Sequence, residues 1–123
     1  MEIKFRVWVL KSKQLIQPCY AEIFKDGSFS GGYNYLNSTE CILMQFTGLK
    51  DKNGKEIYSK DYLKNPKGEI GKVIYYEAGF YLECPRKNGT IIYIPLTKGF
   101  VQNKEILGNE FETPELIKDL QWK

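Results

Sequence analysis

The sequence predicts a mostly β protein, a small SH3-like β-barrel built of hairpins with one short C-terminal helix. Three observations carry this. Short apolar and aromatic runs recur with turn signals about every ten residues, the spacing of barrels and sandwiches. Two Asn-Gly pairs (Asn53-Gly54, Asn88-Gly89) and one Asp-Gly pair (Asp26-Gly27) punctuate those runs. Aromatic residues reach 15%, nine of them Tyr, and these side chains favour pleated, half-buried surfaces.

Ile3–Leu10 alternates Lys4 and Arg6 against Ile3, Phe5 and Val7 and then turns wholly apolar, the pattern of a strand that becomes central. Ala21–Tyr35 holds Asp26-Gly27 between two strand-like runs and reads as a hairpin, with Gly31-Gly32 marking a bulge or loose turn. Thr39–Phe46 fits a buried strand better than a helix, because it is short and Thr47-Gly48 follows. Lys50–Leu63 reads as a hairpin around a type I′ turn, with Asn53 and Gly54 both at positive φ. Asn65-Pro66-Lys67-Gly68 is a further turn. Glu69–Tyr76 and Phe80–Cys84 flank Glu77-Ala78-Gly79, a predicted three-residue loop with Gly at its end. Thr90–Leu96 contains Pro95, which cannot donate to a ladder, so this strand belongs at an edge, and edge pairing there offers a route to a homo-oligomer. In Thr113–Leu120, Thr113 is placed to cap a helix, Pro114 occupies its first turn and Leu116, Ile117 and Leu120 form an apolar stripe.

At 123 residues the chain reads as one domain, residues 1–123, large enough to bury a core without staples. It has no histidine, which removes Ser-His-Asp triads, Cys-His pairs and Cys2His2 zinc sites. Cys19, Cys41 and Cys84 are an odd, widely spaced set that fits a reduced cytosolic protein with buried thiols. Cys41 and Cys84 sit in apolar strand patterns, whereas Cys19 follows Pro18, where a loop and an exposed thiol are expected. No signal peptide opens the sequence, and no apolar run approaches the roughly 18 residues that span a bilayer. The expectation is a cytoplasmic protein without membrane attachment. Asp51, Glu56 and Asp61 alternate with lysines and read as surface ion pairs of little energetic worth. No phosphate-binding glycine loop is present. A zinc site of the three cysteines completed by a carboxylate, or a metal pair on Asp51, Glu56 and Asp61, is the weaker reading. The expectation is a protein that is not an enzyme and holds no metal or cofactor.

Binding is the function that remains, in two forms. Exposed aromatics, Tyr33 and Tyr35 in the glycine-rich loop and Trp122 near the C-terminus, would anchor a protein partner; the plainer reading of each is core packing. Alternatively, Lys50, Lys52, Lys55, Lys60, Lys64 and Lys67 would line one face and grip nucleic acid, with Tyr58 or Tyr62 stacking on bases; the plainer reading is a solvated face. The net charge is +3, and only Arg6 and Arg86 could make bidentate contacts to guanine, so sequence-specific readout is not expected.

Three words together resemble the YopX family of phage and prophage proteins: Glu2–Trp8, Leu43–Tyr58 (LMQFTGLKDKNGKEIY) and Glu105–Leu116 (EILGNEFETPEL). Their order spans the chain. After the central word such proteins continue Glu-Gly-Asp-Ile-Val, whereas here stand Ser59, Lys60, Asp61, Tyr62 and Leu63. Lys60 in the glycine position removes freedom for a left-handed backbone, so a different local turn is expected. The resemblance implies a small β-rich protein of a phage or other mobile element, and no reaction. It makes a host bacterial protein the expected partner, through host takeover or inhibition of a defence system such as CRISPR.

Overall fold

The computed structural model describes residues 4–19, 21–23, 29–31, 36–37 and 41–119. The chain divides into two compact units, residues 1–46 and 47–123. The backbone is mostly β and antiparallel throughout its described ladders, as the hairpin signals require.

In the first unit, β1 (Phe5–Val9) lies between β2 (Gln14–Cys19) and the opening half of β6 (Cys41–Lys50). Phe5, Val7 and Val9 alternate onto one face and pack with Cys41 and Leu43. The other face is also buried, with Arg6 and Trp8 on it, so β1 is central along its length. The Lys4 ammonium sits 4.7 Å from the centre of the Phe46 ring. β2 was not legible, because Gln14-Leu15-Ile16-Gln17-Pro18 neither alternates nor excludes proline. It is an edge strand, where Pro18 is tolerated. Cys19 lies in this strand opposite Phe5 and not in a loop. A separate small sheet pairs β3 (Ala21–Ile23), β4 (Phe29–Gly31) and β5 (Leu36–Asn37). The β3–β4 hairpin is the one expected around Asp26-Gly27, although that turn lies outside the described residues.

The second unit takes the end of β6 with β7 (Glu56–Tyr58) and a five-stranded sheet. The sheet holds β8 (Asp61–Lys64), β9 (Ile70–Tyr76), β10 (Gly79–Pro85), β11 (Ile91–Pro95) and β12 (Glu105–Asn109), in the order β11-β10-β9-β8-β12. It curls into a half-barrel, and no specifically SH3-like closure is found among the described ladders. Its concave side is filled by Leu63, Val73, Leu82 and Cys84 with Ile57 from β7 and Val101 from α1 (Lys98–Val101), a single helical turn capped by the Thr97 hydroxyl. The predicted C-terminal helix forms as a 3₁₀ helix, Pro114–Asp119. Leu116 packs beside Tyr62, Ile70 and Leu107 as the stripe predicts.

One five-residue turn is used three times. In Asp51–Lys55, Asn65–Glu69 and Arg86–Thr90 the first amide bonds the fifth carbonyl, at 2.8, 2.9 and 2.7 Å, and the glycine amide returns to the first carbonyl at 3.0 Å. Gly54, Gly68 and Gly89 take φ of +78°, +87° and +89°. This is a type I turn closed by a glycine bulge, not the type I′ turn expected at Asn53-Gly54, because Asn53 keeps a negative φ. The Asp51 carboxylate selects it. Its Oδ1 accepts from the amides of Asn53 and Lys55 and its Oδ2 from that of Ile106. Asn65 repeats the pattern with the amides of Lys67 and Glu69.

Two further turns depart from expectation. Tyr76 pairs directly with Gly79, so the β9–β10 loop has two residues, not three. Glu77 and Ala78 sit at φ +46° and +63°, a type I′ conformation that normally selects Asn-Gly. Lys60 also adopts the left-handed backbone, at φ +73°, so the turn survives the loss of glycine. Its amide bonds Val73, its carbonyl accepts from Glu110, and its ammonium lies 3.5 Å from the Glu110 carboxylate, contacts that hold the strained residue in place.

Candidate functional site

Strands β9, β10 and β11 form a meander whose alternation separates two faces. Val73, Leu82, Cys84, Ile92 and Ile94 point to the core. The opposite set is Ile74 and Tyr76 on β9, Tyr81 and Glu83 on β10, and Ile91, Tyr93 and Pro95 on β11. Register places Tyr81 between Ile74 and Pro95, and Glu83 beside Tyr93. Ile74, Tyr76, Glu77, Tyr81, Glu83 and Tyr93 line a groove of about 420 Å³. Gly79 matters to its shape: a Cβ there would stand 3.2 Å from Cε2 of Tyr81, whose ring lies over the glycine. Tyr76 and Tyr93 are 60% and 53% exposed, more than core packing would leave them.

The groove is acidic. Glu77 and Glu83 have no basic partner among the described residues. Lys72 is opposite Glu83 in register, but its ammonium is engaged 3.4 Å from Glu110.

The groove also runs to an open edge. Hydrogen bonds from Arg86 to Thr90 and from Leu96 to Phe80 fix the parity of the β10–β11 ladder. Thr90, Ile92, Ile94 and Leu96 therefore bond inward, and the amides of Ile91 and Tyr93 point away from the sheet. Among the described residues no strand covers that side of β11. The edge position anticipated for Thr90–Leu96 is found.

The lysine set predicted from the sequence does not coincide with this groove. Tyr33, Tyr35 and Trp122 lie outside the described residues. Of the six lysines, Lys50, Lys52, Lys55, Lys64 and Lys67 gather at one end of the half-barrel, since Lys64 pairs with Glu105 and the Lys52 amide bonds Lys104. Lys60 is at the other end of β8, tied to Glu110, and Lys52 lies 3.6 Å from Glu105. Tyr58 and Tyr62 are buried, Tyr62 against Ile70 and Leu116, so neither presents a ring for stacking. Burial, followed by the Glu110 and Glu115 charges, raises the Tyr62 phenol above its ordinary range.

Two of the three carboxylates read as surface pairs, Asp51 and Asp61, are structural instead. Asp51 is 6% exposed with three backbone donors, and Asp61 is buried with its Oδ2 accepting from the Tyr58 amide at 2.8 Å. Cys41 and Cys84 are buried, as expected. Burial, assisted by Glu69 and Glu83, pushes the Cys84 thiol up to about 12, so it remains protonated near neutral pH and is no nucleophile. Lys104, unremarked in sequence, is buried with its ammonium on the Phe100 carbonyl and ring; burial lowers its pKa, against the opposing influence of Cys84. No three Cys, Asp or Glu side chains gather as a metal-ligand set among the described residues. Nor does any described helix have the length and apolarity to cross a membrane.

Fold and groove together define a small β scaffold with an open, tyrosine-lined sheet face. The chain belongs to the YopX family: the family model, described as YopX protein, matches residues 4–118. Among solved structures it is similar to the crystal structure of protein EF1440 from Enterococcus faecalis, with a TM-score of 0.69 and 20% identity. That likeness covers 95% of this chain and 99% of the other, and it speaks for the fold alone. No curated protein matches the chain.

Proposed function

We propose that this chain is a phage- or prophage-encoded, non-enzymatic binding protein that acts in the bacterial cytosol on a host protein. Host takeover, or inhibition of a defence system such as CRISPR, is the role that the family resemblance suggests. The observation that carries the binding reading is the β9–β11 face, where Tyr76, Tyr81 and Tyr93 line one groove beside β11, which no described strand covers on its outer side. Tyrosines supply large contact area at low entropic loss and recur as interface anchors.

A tagged pull-down from nuclease-treated bacterial lysate, washed at high salt, tests this reading. A host protein should be retained in stoichiometric amount and be lost from the Y76A/Y81A/Y93A variant. Equal retention by both would refute the tyrosine face.

The second reading is nucleic-acid binding through the end of the half-barrel that carries Lys50, Lys52, Lys55, Lys64 and Lys67. Arg86 and Lys87 favour it, because the β10–β11 turn projects from the same end. Nucleic acid that co-elutes without nuclease and releases steeply with salt would select this reading.

A further inference from the structure

The groove has a composition that narrows its occupant. Three phenol rings and two carboxylates surround one space, and no cation of the described residues neutralises Glu77 or Glu83. Rings offer a negative π-face to a cation, and nearby carboxylates reinforce that attraction. Beside the rings, the amides of Ile91 and Tyr93 stand ready to accept an added strand.

We propose that the groove receives an arginine or lysine from an extended segment of a partner protein that adds antiparallel to β11. This rests on the tyrosine-face reading and names its partner by chemistry. In an added strand every second side chain falls on the Tyr93 side of the sheet, so one basic residue reaches the rings while its backbone pairs with Ile91 and Tyr93. A second copy of this chain does not meet the requirement. Its own free strand, Ile91-Ile92-Tyr93-Ile94-Pro95, carries no base, and it would bring another Glu77 and Glu83. Nucleic acid is disfavoured by the same two carboxylates.

The test is selection of random displayed nonapeptides on the full chain, with counter-selection on Y76A/Y81A/Y93A. Fluorescence anisotropy of one selected, labelled peptide follows. Arginine or lysine should be enriched, and replacing it by glutamine should weaken binding about tenfold, the effect of one partly desolvated cation contact. In E77Q/E83Q the same replacement should change affinity by less than about threefold, because the two effects are coupled. N-methylation of alternate peptide amides should abolish binding. Selected peptides without basic enrichment, still lost on the tyrosine variant, would overturn the cationic occupant and leave the tyrosine face standing. Peptides that bind the native chain and the tyrosine variant alike would overturn both. A dimer in sedimentation that E77Q/E83Q leaves unchanged, in place of peptide binding, would assign the edge to a second copy and overturn the proposal.

Discussion

Replacing Asp51 by alanine removes the acceptor for three backbone amides at once. Its Oδ1 takes those of Asn53 and Lys55 at 2.9 Å each, and its Oδ2 takes that of Ile106 at 3.0 Å. Asn53 and Lys55 are exposed, so water replaces the carboxylate there and each loss costs about 0.5–1 kcal/mol. Ile106 is half-buried and bonds a charged group that is itself buried, which makes that bond worth about 1.5–3 kcal/mol. Asp51→Ala should therefore destabilise by about 2.5–5 kcal/mol. Asp51→Asn keeps an oxygen for the turn but turns an amino group toward Ile106, and should lose about 2 kcal/mol. Urea unfolding followed by far-UV circular dichroism gives both values. Hydrogen exchange at the Ile106 amide should accelerate in each variant. A loss below about 1 kcal/mol for Asp51→Ala, within the range of an exposed ion pair, would refute the reasoning and return Asp51 to the solvated surface.

Three further outcomes follow from local geometry. Ala78→Gly should stabilise by about 0.5–1 kcal/mol and E77N/A78G by about 1–2 kcal/mol, read as a higher urea midpoint, because both positions hold positive φ without the residues that favour it. Gly108→Ala should destabilise by about 2 kcal/mol or more in the same assay, since its Cβ would collide with the Thr113 hydroxyl, which is fixed on the Asn109 backbone. The Cys84 thiol, ordinarily near 9.0 and raised to about 12 in the fold, keeps its proton after the unfolded thiol has lost it. Its contribution is complete below pH 9 and is lost as pH climbs from 9 toward 12, by up to about 1.4 kcal/mol per pH unit. The stability difference between native chain and Cys84→Ala, measured at pH 7, 9 and 10, should shrink accordingly.

The strands were legible because their apolar content is, whereas the turns show what dipeptides omit. Asn53-Gly54 marks a hairpin correctly but does not say whether its first residue has positive φ; the Asp51 side chain two positions earlier decides that. At Glu77-Ala78-Gly79 the glycine points to the wrong position. Register is set by Val73 and Leu82 meeting across the core face, and a shift to favour Gly79 would turn those residues outward. Lys60 shows the same priority, since tertiary bonds to Val73 and Glu110 hold it left-handed. Thr113 was expected to cap the last helix, but its hydroxyl turns back to the amide and carbonyl of Asn109. The groove escaped notice for a related reason. Val73-Ile74-Tyr75-Tyr76 and Ile91-Ile92-Tyr93-Ile94 are apolar on both sides, and alternation names a solvent face only when one side is polar. The lysines gathered as a stripe in the sequence are divided in space because β8 separates Lys60 from Lys64 along its length.

Pro95 limits how far pairing along the β11 edge can extend. An uncovered strand of isoleucine and tyrosine, without a charge of its own, is the kind of template on which sheets grow into fibres. Here the free side supplies amide hydrogens at Ile91 and Tyr93 and then stops, because the next outward residue is proline. An arriving strand finds a ladder two donors long, with the Arg86–Thr90 turn at one end and the Pro95 nitrogen, which carries no hydrogen, at the other. That is enough to register one short segment and too little to propagate, so the same residue that ends the sheet sets an upper limit on what the sheet can recruit.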